Sequence, residues 1–308
     1  MVFNIPGGVW PTMITPYTED NKIDYSALEK LIEWYIKKGV SGLFAVCQSS
    51  EMFFLTLDER VELARFVKKT AGDRVPVIAS GHISRSMEDQ LYELKAMADT
   101  GIDALVLISG NLAGKDDADD VARKNMEVIL NEVPGIPMGI YECPVPYKRM
   151  ISPGLLEWCA STGRFHFLKD TCRDISLIKN KVERVKNTNL KVFNANAATL
   201  LETLKLGAAG YSGVMANFHP ELYVWLTRNW RDKLCEAEEL QHFLGFSSAI
   251  EYQVYPVNAK YYLKLEGIDM LAKSRSKDIS SFDQSHKIEV EDFHYLSKKY
   301  AEKFCEIR

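Results

Sequence analysis

The sequence predicts an α/β fold, a closed (β/α)8 TIM barrel followed by a C-terminal helical extension. Eight short apolar runs alternate with amphipathic stretches. The runs recur about every 25–35 residues, which is the size of a βαβ unit. Several of the runs are apolar throughout, as is typical of strands that are buried on both faces of a parallel sheet. The 308 residues exceed the roughly 250 that such a barrel uses.

The eight predicted strands are residues 7–15, 42–47, 76–80, 103–109, 137–143, 165–170, 190–196 and 210–216. Between them, apolar side chains recur every three or four residues, as in amphipathic helices. After Ala216 the alternation stops and the pattern is helical. We therefore expect a barrel over residues 1–222, which carries the active site, and helices over residues 223–308 that pack on it. A doubly wound sheet is the second possibility, but the chain lacks its G-x-G-x-x-G turn after the first strand.

Composition and charge exclude several classes of function. The net charge of −4 gives no basic surface for nucleic acid. No run approaches about 18 apolar residues, and the first residues do not form a signal peptide, so we expect a cytoplasmic protein without a membrane segment. The six cysteines and six histidines are scattered without metal-ligand spacing, which predicts reduced thiols and no metal site.

Two side chains stand out at the carboxyl ends of the predicted strands, where barrel enzymes carry their active sites. Side chains alternate along a strand, so Lys169 shares a face with Phe165 and Phe167. In a poorly solvated mouth, its amine would have a lowered pKa and would attack carbonyl carbons. Tyr141, one strand earlier, could then transfer a proton. The alternatives are that Lys169 reaches solvent and pairs with Asp170, and that Tyr141 is a rim residue with a satisfied hydroxyl group.

Motifs around both residues identify a family resemblance. Tyr141-Glu142-Cys143-Pro144, followed by Leu168-Lys169-Asp170-Thr171, resembles the Tyr-x-x-Pro and Lys-[Glu/Asp] pair of the dihydrodipicolinate synthase/N-acetylneuraminate lyase family, at that family's spacing. The opening GGVWPTMITPY, Gly101-Ile102-Asp103-Ala104 and Gly207-Ala208-Ala209-Gly210 match as well. The sequence is similar to this family over nearly its whole length, as a divergent member.

The resemblance implies a class I lyase or aldolase. Lys169 would form a Schiff base with pyruvate or a related 2-oxo acid, and a C–C bond to an aldehyde-type partner would then form or break. Tyr141 would move the proton of the partner's oxygen. The family needs no metal or organic cofactor, and it implies a homo-oligomer, usually a homotetramer, with a dimer as the other possibility.

The predicted substrate-binding residues lie where the sequence departs from the family. Gln48 replaces a hydroxyl residue that relays protons to the tyrosine, and an amide does not readily pass a proton on. An aromatic pair after strand 4 and two carboxylates after strand 7 are absent, which disfavours lysine biosynthesis and sialic acid as roles. The candidates are Ser49, Gln48 and Ser50 in the strand-2 loop, Asn111 after strand 4, and Ala195 and Asn196 after strand 7.

The sequence leaves two other functions open. A 2-oxo-3-deoxy sugar acid dehydratase would use the same lysine imine but expel a hydroxyl group. A catalytically degenerate barrel would bind a small acid and catalyse little. The altered strand-2 loop favours both, whereas the retention of Lys169 and Tyr141 argues against the degenerate barrel.

Overall fold

The computed structural model describes residues 4–305, and a sheet of eight parallel strands forms its centre. From the second strand to the eighth, each pairs with its neighbour in sequence, and the eighth pairs with the first. A backbone bridge between Thr12 and Phe44 joins the chain after the first strand to the second, which closes the barrel. The predicted fold class is confirmed. The strands are β1 (Gly8–Val9), β2 (Leu43–Phe44), β3 (Val77–Ala79), β4 (Ala104–Ile108), β5 (Met138–Tyr141), β6 (Phe165–Asp170), β7 (Lys191–Asn194) and β8 (Gly210–Tyr211).

Helices surround this barrel, and several begin at the residues that favour helix starts. Asp24 accepts a hydrogen bond from the Ala27 N–H, and Thr56 forms a reciprocal capping box with Glu59. The helices are α1 (Tyr25–Lys37), α2 (Leu57–Ala71), α3 (Met87–Ala98), α4 (Ser109–Leu112), α5 (Asp119–Glu132), α6 (Pro153–Ser161), α7 (Ile175–Val185), α8 (Leu200–Lys205), α9 (Pro220–Asn229), α10 (Leu234–Ser247), α11 (Val257–Leu265) and α12 (Gln284–Phe304).

The first and last strands are much shorter than predicted. The apolar run over residues 7–15 predicts a long strand, but β1 contains two residues. Pro11 has no N–H to donate to a ladder, and the buried residues after Val9 continue as irregular chain. The run over residues 210–216 is interrupted in the same way, because a 3₁₀ helix begins at Val214. Buried apolar side chains in these two segments do not imply strand pairing.

Aromatic side chains fill the barrel below its carboxyl-terminal mouth. Phe167 stacks on Phe193 with ring centroids 4.6 Å apart, and the Trp10 ring lies edge-on to Phe167 at 5.6 Å. Phe44 contacts the same Phe167 ring at 6.2 Å. All four residues are fully buried. The mouth therefore has an apolar floor that excludes water from below.

The C-terminal helices pack against the barrel and extend over its mouth. Helix α9 contacts β1 and β8, α10 contacts the 3₁₀ helix that follows β7, and α11 packs along α12. The boundary between the barrel and the C-terminal extension, placed between residues 222 and 223, stays a prediction. It would fall inside α9. Within residues 4–305, no helix has the length and apolarity that crossing a membrane requires.

Candidate active site

Lys169 lies one residue before the end of β6, with its side chain in the mouth of the barrel. Its Nζ is 4.3 Å from the centroid of the Tyr141 ring and 5.9 Å from that of Phe44, and 3 % of the residue is exposed. Burial lowers the pKa of the amine from 10.5 to about 8, because an ammonium loses its solvation there. Asp170 does not pair with Lys169, since its carboxylate binds Lys181 instead.

Tyr141 ends β5 and lies opposite Lys169 in the strand register. Its ring packs edge-on against Phe44 at 5.8 Å, and its hydroxyl donates to Oε1 of Gln48 at 3.3 Å. Burial raises the pKa of the phenol well above its usual value. The group is therefore a neutral phenol at neutral pH, which can give up a proton only to a strongly basic oxygen.

A cavity of about 800 Å³ opens above these two side chains. Such a volume is typical of sites for small molecules. Six of the eight predicted site residues line it, and they come from β5 and β6, from the loop after β2 and from the loop after β7. These six are Lys169, Tyr141, Gln48, Ser49, Ala195 and Asn196.

The other two predicted residues do not line this cavity. Ser50 is buried beneath its loop, where its hydroxyl accepts from the Cys47 N–H at 2.9 Å and donates to the Cys47 carbonyl at 2.7 Å. Asn111 lies in α4, which begins directly after β4 and turns the amide towards the His82 carbonyl at 2.8 Å. Neither Asn111 nor Ser50 is among the residues that line the cavity, and a contact of either with substrate stays a prediction. Both side chains brace the loops behind the site.

Glu51 anchors the strand-2 loop to the C-terminal segment. It adopts a left-handed conformation with φ of 62°, which is uncommon for a residue other than glycine. Its carboxylate accepts from Nζ of Lys260 at 3.0 Å, from Oγ of Ser274 at 2.7 Å, and from the N–H groups of Arg275 and Ser276 at 2.7 and 2.8 Å. Burial alone would raise the pKa of Glu51, but Lys260 and the other donors outweigh it and the net shift is downward.

Residues of the C-terminal extension line the cavity, and a search of strand ends misses them. Glu251, Tyr252 and Tyr255 reach it from the 3₁₀ helix Ser248–Tyr252 and the turn before α11. Arg173, just after β6, also lines the cavity and lies 3.4 Å from the Glu251 carboxylate. Sequence periodicity gives no signal for this contact.

A fully buried ionic cluster supports β5 and β6 from outside the mouth. Nζ of Lys181, on α7, is 2.5 Å from both a Glu142 oxygen and an Asp170 oxygen. Glu142 also accepts from the N–H groups of Ile151 and Thr171, each at 2.9 Å. Glu142 follows Tyr141 in the chain, and Asp170 follows Lys169. The cluster therefore fixes the ends of the two strands that carry the amine and the phenol.

The site combines a desolvated amine, a neutral phenol and a polar loop. In the part of the chain that the structure describes, no group of three or more His, Cys, Asp or Glu side chains could hold a metal ion. The chemistry that these side chains support is attack by an amine on a carbonyl group, followed by proton transfer at an oxygen atom.

Comparison with known proteins identifies the family. The sequence profile of the Dihydrodipicolinate synthetase family matches residues 5–293. The chain belongs to this family. A 4-hydroxy-tetrahydrodipicolinate synthase of Clostridium perfringens is 25 % identical over 255 residues, which cover 82 % of this chain and 86 % of the relative.

Solved structures share the fold of this family member. The prophage protein YagE of E. coli K12, solved in complex with pyruvate, superposes with a TM-score of 0.85 at 22 % identity, covering 95 % of this chain and 98 % of its own. CdNal of Clostridium difficile, solved with mannosamine, gives 0.83 at 18 % identity, with 94 % and 99 % covered. Family membership places the chain among the class I lyases and aldolases that act through a Schiff base, which confirms the predicted enzyme class. It favours neither the dehydratase nor the degenerate barrel.

Proposed function

We propose that this protein makes or breaks a C–C bond between pyruvate, or a related 2-oxo acid, and an aldehyde-type partner through a Schiff base on Lys169. One observation carries the proposal: a buried amine with a pKa lowered to about 8 lies 4.3 Å from the ring of a buried phenol. The family supports the same chemistry.

The bond changes follow from the two groups. The neutral Lys169 amine attacks the 2-oxo carbon, and uptake of one proton with loss of water gives a protonated imine. The imine withdraws electrons from the neighbouring carbon, which loses a proton and becomes an enamine. The enamine carbon attacks the aldehyde carbon, and the developing alkoxide takes a proton from Tyr141, whose phenolate recovers the proton that the neighbouring carbon released. Water then hydrolyses the imine, and cleavage runs through the same steps in reverse.

Binding of the 2-oxo acid falls to the strand-2 loop in this proposal. Ser49 and Gln48 line the cavity beside the reactive pair, and their polar groups can donate hydrogen bonds to a carboxylate. Ser50 supports the loop from below. Ala195 and Asn196 form the opposite wall, where the partner would lie.

Trapping tests the proposal. Pyruvate with borohydride is expected to add one reduced pyruvyl group to the protein, at Lys169. Lys260 is the internal control, because burial also lowers its pKa to about 8 but Glu51 holds its amine. An adduct on Lys260, or none at all with pyruvate still bound, would contradict the proposal, and the second result would support the degenerate barrel.

The pH dependence of trapping gives a sharper test. A lysine with a pKa lowered from 10.5 to about 8 has roughly 300 times more neutral amine at pH 7 than an unperturbed lysine. The trapping rate should therefore rise up to about pH 8 and then level off. A rate that keeps rising towards pH 10 would show that the amine is not desolvated.

With trapping established, release of pyruvate from hydroxy-oxo acids indicates a lyase, whereas loss of water without cleavage indicates the dehydratase.

We also propose that the enzyme is a cytoplasmic homo-oligomer, a tetramer or a dimer, whose barrel spans residues 1–222 and whose extension spans residues 223–308. The family resemblance supports the assembly. Light scattering on the purified protein measures its mass in solution, and a monomer at micromolar concentration would contradict this part of the proposal.

A further inference from the structure

Large apolar side chains line the outer part of the cavity. Phe53 and Phe54 come from the turn after β2, Val145 follows β5, and Tyr252 belongs to the C-terminal extension. We call these four residues the apolar rim. Phe54 is 52 % exposed and Tyr252 is 69 % exposed, whereas Lys169 is buried, so exposed apolar side chains surround the entrance to the buried reactive groups. Exposed apolar side chains that converge on a cavity mark a ligand surface.

Two of the three basic side chains that line the cavity near this rim already have partners. The Arg173 guanidinium lies 3.4 Å from Glu251, and the Lys148 ammonium donates to the Thr171 carbonyl. Lys277, the third, also lines the cavity and is exposed to solvent. A charged substrate group that bound Arg173 or Lys148 would compete with these contacts, whereas an apolar group would not.

A partner rich in hydroxyl groups finds few free side-chain acceptors directly after β7 and β8. Ala195 and Val214 line the cavity there without polar atoms in their side chains. The Asn196 side-chain oxygen already accepts from the N–H and the hydroxyl of Thr199, each at 3.2 Å. Burial of hydroxyl groups without partners is costly.

We propose that the aldehyde partner is aromatic, with its ring held by the apolar rim; this rests on the proposed function. Burial of a flat ring among aromatic side chains is favourable and is specific in geometry. The enamine carbon of the Lys169–pyruvate adduct bonds to the aldehyde carbon, and the carbonyl electron pair becomes an alkoxide that is protonated by Tyr141. Hydrolysis then releases a 4-aryl-4-hydroxy-2-oxo acid, with no oxidant or reductant consumed.

The experiment compares benzaldehyde, glyceraldehyde and succinic semialdehyde as partners of pyruvate. We expect kcat/KM for benzaldehyde to be at least tenfold above that for the other two aldehydes. Phe54→Ala should lower this value at least fivefold, mainly through a higher KM. Phe246→Ala is the matched control, because Phe246 is 88 % exposed on α10 and is not part of the cavity wall; it should have no effect.

Each outcome has a distinct meaning. Equal or faster turnover of glyceraldehyde or succinic semialdehyde overturns the inference, and so does a Phe54→Ala variant with unchanged KM for benzaldehyde. Trapping of pyruvate on Lys169 without any reaction of benzaldehyde overturns the inference but leaves the proposed function intact. Failure of trapping itself would refute the proposed function.

Discussion

Replacing Lys181 by methionine should remove a large part of the stability of the barrel. In the native protein its ammonium lies 2.5 Å from Glu142 and from Asp170, and all three side chains are fully buried. Methionine fills a similar volume but leaves two carboxylates without a cation. Breaking a buried ion pair in this way costs about 3–5 kcal/mol. At about 2–4 °C per kcal/mol for a chain of this size class, the melting temperature should fall by roughly 6–20 °C.

The loss should depend on pH in a defined direction. Burial, followed by repulsion from Asp170, raises the pKa of Glu142. Burial lowers the pKa of the Lys181 ammonium, but the two carboxylates outweigh it and the net shift is upward. In the variant without the ammonium, the pKa of the Glu142 carboxyl is higher in the folded protein than in the unfolded chain, where it is about 4.3. Ionisation of this group therefore favours the unfolded chain, and the destabilisation increases as the pH rises above about 4.3. The deficit of Lys181→Met should therefore be larger at pH 7 than at pH 5.

Urea unfolding of both proteins at equal concentration, followed by tryptophan fluorescence, measures this deficit. Lys186→Met is the matched control, since Lys186 forms an exposed pair with Glu183 next to the same helix and should cost about 0–1 kcal/mol. A loss below about 1 kcal/mol for Lys181→Met, or one equal to that of the control, would refute the reasoning. A deficit that grows towards low pH would refute the charge assignment.

Two further variants test the reactive pair. Tyr141→Phe should still be trapped by pyruvate and borohydride at Lys169, but its turnover with an aldehyde should fall about 100-fold or more because the proton donor is lost; unchanged turnover would assign the proton transfer to another group. Gln48→Thr places a hydroxyl next to Tyr141, which can both accept and donate a proton, so kcat should rise, by up to about 100-fold, with trapping unchanged. A kcat at or below that of the unaltered protein would show that the amide does not limit proton transfer.

The central part of the site could be predicted from the sequence because it depends on local rules. The alternation of strands and helices predicts the barrel, and the alternation of side chains along a strand directs Lys169 inwards and Asp170 outwards. Tyr141 and Lys169 end adjacent strands, so the register of β5 and β6 brings them together. These features need no knowledge of distant contacts.

The periphery could not be predicted, since it depends on contacts between distant residues. Glu51 receives its hydrogen bonds from residues more than 200 positions away, and no periodicity encodes this contact. Asn111 occupies a plausible position after β4, but the single turn of α4 redirects its amide. The end of a strand therefore predicts where a residue lies but not where its side chain points once a short helix follows directly.

The ionic cluster on the outer side of β5 and β6 explains why the amine inside the barrel stays reactive. Asp170 is adjacent to Lys169 in the chain, and a carboxylate that reached the amine would stabilise its ammonium form and raise its pKa. Lys181 and the Cys172 N–H, at 2.5 and 2.8 Å, hold Asp170 on the opposite face of the strand. The Lys169 amine has no such ion pair, since no carboxylate of residues 4–305 lies within salt-bridge distance of it. The Asp170 carboxylate that Lys181 binds is thus the one that, beside Lys169, would hold the amine in its unreactive ammonium form.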